Sequence, residues 1–230
     1  LHTNDWQGSW IASSKNVSSP LIRKDITLSE RPKTARVYLC GLGYYELRIN
    51  GKKIGNQVLD PASSYYTNDL PYKLGTRVFY TSHDVSHVLN SGSNTIGIIL
   101  GNGWFSAEAD IPPPPSHRKT YADRPLLLLQ FNAELATGEK IQLSTESTWK
   151  TLSGPIIYND YCNGEIYDAR KEEFPFVRTA TCLNTDPSNS KSAGTYLFFI
   201  GSDFIFAQSA SEILILTVEI RSLENIECSS

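Results

Sequence analysis

Residues 36–52 read Arg36-Val37-Tyr38-Leu39-Cys40-Gly41-Leu42-Gly43-Tyr44-Tyr45-Glu46-Leu47-Arg48-Ile49-Asn50-Gly51-Lys52, and this stretch decides the fold class. Tyr45, Leu47 and Ile49 alternate with Glu46 and Arg48, the period of two that marks a strand with one face buried. Asn50-Gly51 follows at once. A type I′ turn needs φ > 0 at both central residues, which Asn and Gly tolerate best, so the pair predicts a tight hairpin into Lys52-Lys53-Ile54-Gly55. The Gly41-Leu42-Gly43 break separates this hairpin from an earlier strand over Arg36 to Cys40.

The same grammar runs outward along the chain. Short apolar segments rich in β-branched and aromatic residues predict strands over Leu21–Leu28, Val78–Tyr80, Asn94–Leu100, Pro125–Ala133, Lys140–Ser144 and Thr148–Leu152. Ser91-Gly92-Ser93-Asn94 and Thr137-Gly138-Glu139 have the length of hairpin loops, so neighbouring strands are expected to be antiparallel. Many short antiparallel strands and few helices predict an all-β sandwich or jelly roll. Asp84 to Leu89 reads either as one helical turn opened by Asp84 or as an edge strand. Pro112 to Pro115 dictates an extended surface loop.

A Thr-, Ser- and Asn-rich stretch predicts a linker at residues 179–192, dividing a first domain at 1–178 from a tail at 193–230. Apolar strands are expected in that tail at Thr195–Ile200, Phe204–Phe206 and Ile213–Ile220. They are too few to form an independent core, and so should pack back on the main domain or expose an interface for self-association.

Composition removes whole classes of function. The chain has 230 residues, and 21 Lys and Arg against 24 Asp and Glu give a net charge of −3, leaving no basic field for nucleic acid or an anionic membrane. No apolar run approaches the roughly 18 residues of a membrane span. Cys40, Cys162, Cys182 and Cys228 never form a C-x-x-C pair, which argues against a zinc ribbon or thioredoxin-like redox site; disulfides stay open. The absence of Met is expected of a mature chain or fragment, and secretion is the expected localisation. Asn16-Val17-Ser18 is an N-glycosylation acceptor pattern. His83 and His87, four apart, are expected to be a solvated pair.

Five strings carry a resemblance together: Trp6-Gln7-Gly8-Ser9-Trp10-Ile11, Gly41 to Lys52, Leu59-Asp60-Pro61, Leu100-Gly101-Asn102-Gly103-Trp104, and Asn163-Gly164-Glu165-Ile166-Tyr167-Asp168-Ala169-Arg170. In that order and spacing they resemble the N-terminal region of the bacterial-type α-L-rhamnosidases, glycoside hydrolase family 78, over about residues 6–172. The resemblance implies a galactose-binding-like jelly roll that in some members binds L-rhamnose with calcium. It implies no catalysis for this chain alone, since in that family acidic residues on a helical barrel further downstream hydrolyse the substrate. Where relatives commonly carry a tryptophan shortly after the proline matching Pro61, this chain has Ala62-Ser63-Ser64, which weakens any stacking role there.

Sugar recognition needs an aromatic surface for the C–H face of the ring and amides or carboxylates for its hydroxyls. Asn102 and Trp104 supply both types in one Gly-rich loop, the alternative being an Asn in a left-handed turn and a Trp in the core. Asp60 and Asn56, in the loop leaving the hairpin, are further sugar-binding candidates. Asn56, Asp60 and Asn102 are the oxygen donors for a calcium ion, which takes six to eight such ligands in total. Tyr65 and Tyr66, near Asp69, offer a second aromatic platform. Glu165 and Asp168 resemble a glycosidase carboxyl pair, but their expected role is local pairing.

These readings predict a non-catalytic module that binds rhamnose or a related sugar of a rhamnose-containing glycan. A structural module associating through its C-terminal strands is the alternative. A piece of an active α-L-rhamnosidase is a third.

Overall fold

The structure, a computed structural model, describes residues 5–14, 17–62, 66, 78–106 and 121–172 and the backbone strand at 214–216. Twelve strands are named among these residues, every pairing antiparallel. They are β1 (Pro20–Leu28), β2 (Thr34–Leu42), β3 (Tyr44–Ile49), β4 (Lys52–Lys53), β5 (Val78–Asp84), β6 (Gly92–Gly101), β7 (Leu126–Glu134), β8 (Lys140–Ser144), β9 (Lys150–Ser153), β10 (Ile156–Asp160), β11 (Gly164–Tyr167) and β12 (Leu214–Leu216). The first sheet has the order β4-β3-β6-β1-β9 and the second β12-β5-β2-β7-β8, while β10 and β11 form a separate hairpin. The fold is an all-β antiparallel sandwich, as the turn chemistry predicted. Among the described residues, no helix is long and apolar enough to cross a membrane.

Register explains the core. Tyr45, Leu47 and Ile49 of β3 stand opposite Leu100, Ile98 and Ile96 of β6, and Ala35, Val37 and Leu39 of β2 opposite Ala133, Phe131 and Leu129 of β7. All of these are buried in one cluster between the sheets. Burying an aliphatic or aromatic side chain of this size contributes about 1.5–3 kcal/mol, so the alternation in β3 suffices to orient the first sheet. The other side of the second sheet is also apolar at one end: Cys40, Leu42, Leu126, Leu128 and Tyr80 pack under Ala12, Phe105 and Tyr66, with Trp6 and Trp10 against them. The N-terminal segment is tied down there by reciprocal Ile11 and Leu127 backbone hydrogen bonds, each 2.9 Å.

Asn50 and Gly51 have φ of 52° and 82°, and Ile49 pairs with Lys52, the expected two-residue turn. Gly43 does more than break a strand. It carries the chain from β2 in the second sheet to β3 in the first, at φ 120°, and a Cβ there would overlap the Gly101 carbonyl oxygen.

Other expectations are corrected. Ser91 to Asn94 is no hairpin loop: it leads from a short 3-10 turn at Ser86–Val88 into β6, and β5 and β6 lie in different sheets. Of the two readings of residues 84–89 the helical turn is the one formed: β5 ends at Asp84, whose carboxylate accepts from Ser86 N–H and Oγ to open the turn at Ser86–Val88. His83 and His87 share no helical face; His83 is on β5 and half-buried. The hairpin of β10 and β11 has no counterpart among the expected strands. Its signals were the Ile156-Ile157-Tyr158 run and the Asn163-Gly164 turn, with Gly164 at φ 87°.

Of the tail, β12 falls in the first half of the strand expected at 213–220 and pairs with Val78–Tyr80 of β5. The linker, the strands at 195–200 and 204–206, Pro112 to Pro115, Asn16, Tyr65 and Asp69 lie outside the described residues.

Candidate functional site

A cleft of about 130 Å³ opens on the outer face of the first sheet. Its floor is Tyr44, Glu46 and Ile99, side chains on the face of β3 and β6 that points away from the core. One wall is the loop after β4, with Gln57, Val58, Leu59 and Asp60; the other is the β10–β11 hairpin, with Ile156, Tyr161 and Glu165. Val58, at 65% exposure, and Leu59, at 45%, leave one wall apolar.

Asn159 fixes the hairpin. Its N–H and Nδ2 donate to Ser18 Oγ, each at 2.9 Å, and Nδ2 also donates to the Ser18 carbonyl at 2.7 Å. Asp160 Oδ1 accepts from the N–H groups of Cys162 and Asn163 and so closes the tip. That places Tyr161 in the cleft, its ring 4.2 Å from Trp104 and 6.1 Å from Tyr44, centroid to centroid.

The expected site residues separate. Trp104 is displayed, 37% exposed, and backs Tyr161. Asp60 lines the cleft; its backbone carbonyl accepts from Tyr45 N–H, its carboxylate accepts from the Tyr45 hydroxyl at 3.4 Å, and burial pushes its pKa up. Asn56 is exposed on the same loop, its N–H donating to Gln57 Oε1, and does not line the cleft. Asn102 is 3% exposed and committed to the fold. It donates twice to Asn159, and its Oδ1 accepts from Ser106 Oγ at 3.0 Å.

Asn56, Asp60 and Asn102 do not fit a calcium ion as a set. One oxygen is buried and engaged, one residue faces solvent, and only Asp60 reaches the cleft. Among the described residues no group of three or more His, Cys, Asp or Glu side chains is placed to hold a metal.

Glu165 and Asp168 also part company. Asp168 is held by Arg170 in a two-pronged ion pair, at 2.8 and 2.9 Å, and accepts from Arg170 N–H. Glu165 lines the cleft, where burial raises its pKa. Glu46 beside it is neutralised by Arg48 at 2.6 Å and Lys53 at 3.1 Å. Tyr66, offered as a platform, is instead buried edge-on against Phe105 and Tyr121. Tyr44, Tyr161 and Asn159 escaped the sequence reading; the aromatic and amide residues of Tyr158-Asn159-Asp160-Tyr161 just before Asn163-Gly164 were the available signal.

A two-sheet antiparallel sandwich with a shallow, partly aromatic cleft on one outer face is a β-sandwich module of the jelly-roll class. The model of the α-L-rhamnosidase N-terminal domain matches residues 30–187, and the chain belongs to that family. The full-length relatives are α-L-rhamnosidases, which are glycoside hydrolases. One from Formosa agariphila is 37% identical over 151 residues, covering 65% of this chain and 15% of that protein. The solved α-L-rhamnosidase from Dictyoglumus thermophilum is 33% identical, with TM-score 0.66 over 78% of this chain and 20% of that one. The Streptomyces avermitilis enzyme, solved in complex with L-rhamnose, is 29% identical, with TM-score 0.61 over 71% of this chain and 15% of that one. The chain thus spans a fifth or less of the length of these relatives.

Proposed function

We propose that this domain is a non-catalytic carbohydrate-binding module of an α-L-rhamnosidase-like protein, taking one rhamnose or related deoxy sugar in the cleft. The observation that carries the reading is the composition of that cleft. An apolar and aromatic surface of Tyr44, Ile99 and Tyr161, backed by Trp104, meets two carboxyl groups, Asp60 and Glu165. A 6-deoxy sugar presents a methyl group and a C–H face to the former and hydroxyls to the latter. So small a cleft admits a single ring and few contacts, so a dissociation constant in the micromolar to millimolar range is expected. Calcium has no role in this reading, because the oxygen donors nominated for it do not converge.

Calorimetric titration with L-rhamnose tests it. Saturable heat, retained in chelator and lost in Tyr161→Ala, supports the reading; no heat from the intact chain sinks it. A chromogenic rhamnoside should be left uncleaved, and turnover abolished by Glu165→Gln would overturn the non-catalytic assignment.

An assembly module without a sugar ligand is the second reading, favoured by the exposed aliphatic side chains Val58 and Leu59 on the loop after β4 and Ile157 and Ile166 on the β10–β11 hairpin. Self-association through the tail competes with β12, which sits on β5 of its own chain. Light scattering across a concentration series separates the two, with growth in mass supporting assembly.

A further inference from the structure

Beyond its apolar end, the outer face of the second sheet opens into a groove of about 520 Å³. That lies within the range of small-molecule sites, about 300–1,000 Å³. Antiparallel register sets its side chains in rows. Asp84, Arg36, Asn132 and Gln142 stand side by side across β5, β2, β7 and β8, with Glu134 opposite Lys140 in the next row.

The two outer faces handle their polar groups differently. On the first sheet Arg23 pairs with Asp25, Thr95 donates to the same carboxylate, and Glu46 takes both Arg48 and Lys53. In the groove, among the described residues, Asn132, Gln142, Glu134 and Lys140 make no side-chain hydrogen bond or ion pair, and Asn132 Oδ1 is buried without a donor. Buried polar atoms are nearly always satisfied, so Asn132 Oδ1 holds accepting capacity that the fold does not use, and the exposed Gln142 and Lys140 beside it present theirs to solvent.

Charge then selects the partner. Arg36 and Lys140 balance Asp84 and Glu134, so neither a polyanion nor a polycation is complemented. Large aromatic or aliphatic anchors, the usual hot spots of a protein interface, find no apolar pocket among these rows. A neutral polyhydroxylated chain fits: each hydroxyl both donates and accepts, and interleaved amides and mixed charges meet both needs. Tyr38, at one end of the groove, adds an aromatic face.

We propose that this groove is a second carbohydrate site, taking a stretch of neutral oligosaccharide across β5, β2, β7 and β8 while the cleft takes a single sugar. It rests on the glycan reading for the class of ligand but not on the cleft. The test is calorimetry on the full chain with a short neutral rhamnan oligosaccharide and with L-rhamnose, in the intact protein and in Gln142→Ala, Asn132→Ala and Tyr161→Ala. Gln142 is exposed, so its variant keeps the fold even if the Asn132 variant does not. The oligosaccharide should bind the intact chain about tenfold more tightly than L-rhamnose. Gln142→Ala should weaken the oligosaccharide about fivefold and leave L-rhamnose unchanged, as a few lost hydrogen bonds to hydroxyls imply. Tyr161→Ala should lose L-rhamnose and keep most of the oligosaccharide. If the oligosaccharide binds Gln142→Ala and Asn132→Ala as it binds the intact chain, or binds none of them, the groove proposal is overturned. If L-rhamnose alone fails to bind while the oligosaccharide still responds to Gln142, only the cleft reading falls.

Discussion

Asn102 and Asn159 hold each other through two hydrogen bonds: Asn102 N–H donates to Asn159 Oδ1 at 2.7 Å, and Asn102 Nδ2 donates to the Asn159 carbonyl at 3.0 Å. Because Asn159 also binds Ser18, this pair fastens the β10–β11 hairpin to the end of β6 and to the segment leading into β1. One wall of the cleft therefore depends on an amide pair in which neither partner needs to touch a ligand.

Replacing Asn159 with Ala orphans Asn102 N–H and releases Ser18. Unmade buried hydrogen bonds cost about 1–3 kcal/mol each, so a loss of about 2–3 kcal/mol in denaturant unfolding is expected. L-rhamnose heat should fall with it, since Tyr161 loses its support. An unfolding midpoint equal to that of the intact chain would contradict this role.

Gly43→Ala should prevent folding or cost more than about 3 kcal/mol, because the Cβ meets backbone at Gly101 that has no freedom to withdraw. Gly138 is the control: it too has positive φ, at 85°, but a Cβ there meets nothing within 4 Å. Its alanine variant should lose only about 1–2 kcal/mol, the strain of a left-handed residue. Thermal melts of the two variants measure the difference.

His83 gives the fold a pH dependence of defined sign. Burial holds its imidazole below the ordinary range, and its Nε2 is 3.0 Å from the Tyr45 hydroxyl, which also contacts Thr81. The folded state resists protonation while the unfolded chain titrates near pH 6.5. The stabilisation is thus full above that pH and is lost as the pH falls through the depressed folded value. Asp60, with its raised pKa, works in the opposite direction: protonation favours the folded state as pH falls toward the ordinary Asp range. Urea midpoints measured downward from pH 7.5 should decline from about pH 6.5 in the intact chain and decline less over that first interval in His83→Gln.

Trp104→Ala separates binding from stability. The Trp is over a third exposed, and an aromatic pair is worth about 0.5–1.5 kcal/mol beyond its buried area. A small drop in melting temperature is expected. The larger effect should be on L-rhamnose, weakened up to about tenfold as Tyr161 loses its backing, and an unchanged titration would remove Trp104 from the site.

The sequence by itself determined the strand faces and the reversals. Tyr45, Leu47 and Ile49 could bury only one side of a pleated strand, and Asn50-Gly51 could turn only one way without strain, so both were legible within a few residues. Of the residues singled out for sugar binding, Asp60 lies in the cleft and Trp104 behind Tyr161. Tertiary structure alone decided which sheet each strand joins, and with it the fate of Asn102. That side chain reads as a ligand amide until Asn159, 57 positions away, takes up its donors. His83 likewise became half-buried because β5 joins the second sheet and its ring meets Tyr45 of β3, from the first. Periodicity and turn chemistry are properties of neighbouring residues, whereas a polar side chain's role is fixed by whatever distant group meets its donors and acceptors. The cleft and the groove are made of such meetings.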